Sequence, residues 1–426
     1  GALSESEIEA DENALQEILA KKEEKEVRIV GEDISKRDEN TKHFILSDGS
    51  FIAAEYQIPV HYRSDDGEWV DCDNTLSFHD ADNNIGSDYY STTAGKAITG
   101  LAVQAKEDRT VFIDNKDFNI SWGYEGSKES KLRIDNKNIK KNEYEKFALL
   151  DKLKSSAEYK NLFPHVDLRF EISTGKLKEN LILKNKNASA EYIIKYNIGR
   201  LTAEQKDKKT ILLKNGGNTE YVISAPVMFD NLGETSEELE LNIISCDSGT
   251  LRVKLSVDES WLKNKVRSFP VTVDPTTYNI TNNEIDATFV SSRTPSANYD
   301  NHETVCVSSG DSIYGTAHTI IGFLSNNFDD QTYRMISAEI NLPVSSCTNS
   351  MRLSAYGITG SVPESGITWN TMPGMSSTII DYANVSKSGD IASFDVTAML
   401  NRSDGNTYNG IAIKTNDAGK AILEKT

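Results

Sequence analysis

Three stretches near the end of the chain decide its fold: "SGITWNTMPG" (Ser365–Gly374), "SFDVTAML" (Ser393–Leu400) and "NGIAIKTN" (Asn409–Asn416). Each sets β-branched and aromatic residues in short runs bounded by Gly, Asn, Pro or Ser, which is the pattern of brief strands joined by turns. Just upstream, "MISAEINL" alternates, with Ile336, Ala338, Ile340 and Leu342 on one side and Ser337, Glu339 and Asn341 on the other. "MRLSAYGIT" keeps the same period of two, as strands with one buried face require. Short strands at this spacing predict a sandwich or jelly roll for the C-terminal part.

Working outward, "SFPVTVDPTT" (Ser268–Thr277) closes a strand with two prolines and marks a domain boundary. Before it, Asp48-Gly49 and Asp66-Gly67 sit between apolar runs and predict tight hairpins, as does Asn215–Asn218. "TLRVKLSV" alternates strictly, pointing Leu251, Val253, Leu255 and Val257 one way. Lys141–Ser156 spaces Tyr144, Phe147, Leu150 and Leu153 at threes and predicts a helical insertion. The lysine-rich stretch Lys128–Lys154 around it offers a contact for an anionic wall polymer, but the favoured reading is an ordinary solvated helix face, because acids are interleaved throughout. Residues 4–26 carry capping-box pairs Ser4/Glu7 and Ser6/Glu9, with acids first and lysines last, and predict a further helix. The expected fold is therefore mainly β: a helix and linker (1–38), a β-rich domain (39–277) and a jelly-roll-like sandwich (278–426).

A chain of 426 residues exceeds what one core usually serves. Its 46 basic against 65 acidic side chains give −19, which disfavours nucleic-acid backbones and anionic lipid. No apolar run reaches the ~18 residues of a membrane span. The start lacks a basic region and apolar core of a signal peptide, and its Gly1-Ala2 opening reads as an artificial boundary, so that lack carries no weight. Cys72, Cys246, Cys306 and Cys347 fit no CxxC pattern; Cys306 and Cys347 share a domain and are the pair to consider for a bridge in an exported protein.

The C-terminal half resembles the DNRLRE module of bacterial and archaeal surface proteins. The resemblance rests on "IDATFVSSRTPSANYD" (Ile285–Asp300), "ISAEINL", "TWNTMP", "FDVT" and "NGIAIK", all in order; "HTIIGFLSNN" (His318–Asn327) departs from the usual Arg-led strand. "KHFILSDGSFIAAEYQIPVHY", "WVDCDNTL", "FPHVDLRFEI" and "RSFPVTVDPT" resemble the region before such modules in Gram-positive wall-associated proteins that continue into RHS/YD repeats. The resemblance implies a location at the cell surface or cell wall, a modular parent with downstream domains, and polysaccharide or cell-wall glycan as partner.

Among candidate binding residues, Tyr299 and Tyr314 are favoured, because turns are expected to expose them and a phenol both stacks and hydrogen-bonds. Trp369, set between Ile367 and Pro373, reads as a core plug. "DADNNIGSD" (Asp80–Asp88) approximates a calcium loop but misplaces its glycine and lacks the final Glu, so a polar loop is expected. The six histidines lie at no metal spacing, and no HExxH, P-loop or G-x-S-x-G is present. The expectation is a non-catalytic module without cofactor or metal that binds glycan for attachment. The alternatives are a structural region that caps or positions a repeat shell or toxin and, last, a polysaccharide-cleaving enzyme.

Overall fold

The protein is described from a computed structural model, which covers residues 28–424 except 56–58, 82–85, 136–151, 226, 233, 280–286, 301, 303, 323–337, 363–365 and 401–407. The described chain is mainly β, as the alternating patterns require. The helix expected at 4–26, and most of the insertion at 141–156, lie outside the described residues. The end of that insertion is corrected: Lys154 opens the strand Lys154–Phe163, where Ala157, Tyr159 and Leu162 turn into the core.

The expected hairpins form. Thr41–Leu46 pairs with Phe51–Glu55 around Gly49 at φ +84°, and His61–Arg63 with Trp69–Asp71 around Gly67 at φ +82°. Only glycine adopts that left-handed backbone without cost. The boundary expected after residue 38 falls inside a sheet, because Ile29–Glu32 pairs with Thr41–Leu46.

Two large sheets, eight-stranded and 11-stranded, build the N-terminal sandwich. Leu251, Val253, Leu255 and Val257 all point into its core, with Trp122, Tyr124, Tyr196 and Phe170 at the centre. Among these rings sits Glu179, whose carboxylate accepts from Trp122 Nε1 at 3.1 Å and from the Tyr124 hydroxyl. Burial pushes this carboxyl up to about 7, against the opposing pull of those two donors.

A nine-stranded sheet curls on itself to form the C-terminal sandwich. Its core holds Phe289, Tyr299, Tyr314, Leu353, Ile413 and Phe394. All four cysteines are free thiols. The pairing considered for Cys306 and Cys347 does not form: the strand Gly419–Glu424 runs between theirs. Two strand spacings amount to ~10 Å, beyond the ~7 Å that a disulfide spans.

The two sandwiches touch through buried polar groups. Lys420, 1% exposed, donates to Thr235 Oγ1 at 2.8 Å and pairs with Asp311 at 3.2 Å. The Tyr314 hydroxyl donates to Glu237 of the N-terminal sandwich, and Lys178 lies 3.8 Å from Glu424.

Candidate functional site

Tyr299 and Tyr314, expected on exposed turns, are 5% and 2% exposed. Tyr299 stacks on Phe289 with ring centroids 4.1 Å apart, and Tyr314 packs edge-on to the same ring at 5.2 Å. Their hydroxyls face Thr294, at 2.6 Å, and Glu237. The turns fold back over the sandwich, so both phenols close its core and neither offers a ring face to a ligand. Trp369 is half-buried rather than a full plug; it stacks on His318 at 5.0 Å and 29° and covers the small cluster of Val290, Ile320, Ile358 and Ala412. In "DADNNIGSD" the Asp88 carboxylate is taken by Ala81 N at 2.9 Å, and residues 82–85 lie outside the described chain. No metal-binding group of His, Cys, Asp and Glu occurs among the described residues.

The aromatic side chains that do face outward stand on strands. In Met351–Ile358 the period of two buries Met351, Leu353 and Ala355 and turns Arg352, Ser354 and Tyr356 outward. Register places Tyr382 and Lys414 on either side of Ser354. His318 follows one step beyond the Thr319–Ile413 pair and lies opposite Val290. One line thus crosses the sheet from Tyr382 through Ser354 and Lys414 to His318, which carries Trp369.

Two cations lie on two rings along this face. The Arg352 guanidinium is 3.7 Å from the Tyr382 centroid, and Lys414 Nζ is 4.7 Å from that of Tyr356. Tyr382 remains 48% exposed despite its arginine. Burial, with Lys414 adding to it, pulls His318 down to about 4, so its imidazole is neutral at neutral pH. The positive charge of the face therefore comes from Arg352 and Lys414. Such an arrangement suits a sugar that presents an apolar ring face together with an acidic group. The signal was present in the sequence: the alternation that buries Leu353 and Ala355 fixes Arg352 and Tyr356 as outward.

Residues 278–424 match the model of carbohydrate-binding module family 96, a span that holds the whole Tyr382–Trp369 face. Across 94% of its length the chain is 26% identical to the protein named tRNA nuclease WapA of Bacillus subtilis (strain 168), and 25% identical to tRNA3(Ser)-specific nuclease WapA of Bacillus spizizenii. The chain spans 17% of the length of each of these. It is also 26% identical, over 49% of its length and 79% of the other's, to a protein of Geobacillus stearothermophilus named wall-associated protein.

Proposed function

We propose that the chain is a non-catalytic cell-surface module whose C-terminal sandwich attaches to an acidic wall polysaccharide. The carrying observation is the exposed face on which Arg352 and Lys414 lie over Tyr382 and Tyr356, within the residues that match a carbohydrate-binding family. The rings would stack on pyranose faces while the two cations meet carboxylates or phosphates of the polymer. Similarity to a wall-associated protein supports a location at the cell wall. Among the described residues no helix is long and apolar enough to cross a membrane.

Affinity electrophoresis in gels containing polygalacturonate tests this reading. The expected result is retardation of the full chain that weakens with added salt and is lost in Arg352→Ala/Tyr382→Ala. Equal retardation of that variant and the parent would remove the site from this face.

A second reading has its own support: the chain positions other domains of a longer parent. The alignment with the WapA proteins runs through both sandwiches, and buried contacts such as Lys420–Thr235 join the two. In this reading any nuclease chemistry belongs outside this chain, which acts as a rigid mount.

A further inference from the structure

The sheet face that carries Arg352, Ser354 and Tyr356 is open over only part of its area. In Met351–Ile358 the next outward position after Tyr356 is Ile358, which is fully buried. Gly410–Lys414 divides in the same way: Lys414 is half-buried, and Ala412, the outward residue before it, is fully buried. In Gly315–Gly322, His318 is half-buried and Ile320 fully buried. Register sets Tyr356 beside Ala412, and Ala412 beside Ile320. With Val290 and Ile367 these residues form a cluster of their own, separate from the core of the sandwich. Part of the outer face is thus an apolar patch, and the protein covers it with its own chain.

The cover runs through residues 366–375, with Ile367, Trp369, Met372 and Met375 packed on the patch. It is stitched down along its length. Gly366 N donates to the Asp300 carboxylate at 2.6 Å, Asn370 N to Pro295 O at 3.1 Å, and Thr359 N to Gly374 O at 2.9 Å. Trp369 stands at the rim of the cover, its ring stacked on His318 at 5.0 Å. The row Tyr382, Ser354, Lys414, His318 therefore has two unlike ends. It opens at Tyr382, 48% exposed, on the strand Met375–Val385 that ends the sheet. Three strand steps away, or ~14 Å, it stops at Trp369, beyond which Val290 is fully buried. A ligand turned to run along Met351–Ile358 meets the same cover, at Ile358. The open face is a groove with one blind end.

Building on the reading of this face as the glycan site, and resting on it, we propose that the groove takes the end of an acidic polysaccharide chain, not a stretch of its middle. Trp369 is the stop. The terminal sugar abuts its indole, while the sugars behind it lie over Tyr356 and Tyr382 and meet Lys414 and Arg352 with their acidic groups.

Isothermal titration of the full chain with polygalacturonate of two mean lengths, compared at equal mass, tests this. Binding at chain ends predicts that halving the mean length doubles the protein bound per gram. Protein bound per gram that is independent of length, with several molecules on each long chain, overturns the inference and leaves the acidic-glycan reading standing. Absence of binding at both lengths removes both. Trp369→Ala opens the blind end; it is expected to keep binding and to raise the protein held by each long chain. Unchanged capacity in a folded Trp369→Ala variant overturns Trp369 as the stop. The length series on the unaltered chain needs no substitution, so it decides the matter even where Trp369→Ala loosens the cover.

Discussion

The two sandwiches expose opposite chemistry on similar surfaces. On the C-terminal sheet, long side chains stand up in cation–ring pairs, Arg352 on Tyr382 and Lys414 on Tyr356. On the N-terminal eight-stranded sheet Lys195 and Arg252 are held in ion pairs with Asp108 and Glu125, and one phenylalanine lies over a glycine. Their interiors are reversed too. The N-terminal core encloses an ionisable carboxyl, Glu179, whereas around Phe289 the C-terminal core is ring against ring. In both, strand register rather than loop position decides which side chains meet solvent.

The sharpest way to break this comparison is Tyr299→Ala. As a core ring stacked on Phe289, it should destabilise the protein by up to about 5 kcal/mol in denaturant melts. A variant that stays stable yet no longer binds glycan would return Tyr299 to the surface. Lys420→Ala comes next. It strands the Asp311 carboxylate between the sandwiches and should cost about 3 kcal/mol. The loss stays at that lower end because Ile313 N and Tyr314 N still donate to Asp311, at 2.9 and 2.8 Å.

Glu179 supplies a pH signature for the N-terminal core alone. Its folded-state value of about 7 lies above the ordinary 4.5, so the fold favours the protonated form. Its contribution to stability is full below pH 4.5, is lost as pH rises to about 7, and is flat beyond. Glu179→Gln should remove that slope and raise stability at pH 8 by about 2–3 kcal/mol, read from urea melts at pH 5 and pH 8. An unchanged slope would refute the buried carboxyl as its source. The smallest effect is expected at the exposed face, where Tyr382→Ala should weaken binding to an acidic glycan by about 1–2 kcal/mol and shift stability by under about 0.5 kcal/mol.

Much of this architecture was legible in the sequence. Asp48-Gly49 and Asp66-Gly67 announced hairpins because few residues accept positive φ, and the alternation of Leu251 to Val257 announced a half-buried strand. The proposed binding face was harder to read. Tyr299 and Tyr314 sit among turn residues, and nothing local reveals that their turns fold inward onto Phe289, a contact set by long-range pairing. Tyr382 lies 28 or more residues from its neighbours Ser354 and Lys414 on the face, joined to them only by register. Glu179 was indistinguishable from 64 other acids until its neighbours were known.

The strand Gly419–Glu424 is hydrogen-bonded on both sides, to Thr304–Asp311 and to Glu339–Cys347. A pull applied at Glu424 along that strand would load two ladders in shear, so their bonds must give way together rather than peel one at a time. Lys420 adds a rivet from the same strand to Thr235 in the neighbouring sandwich. A load carried through that strand is thus shared between both neighbouring strands and the other sandwich.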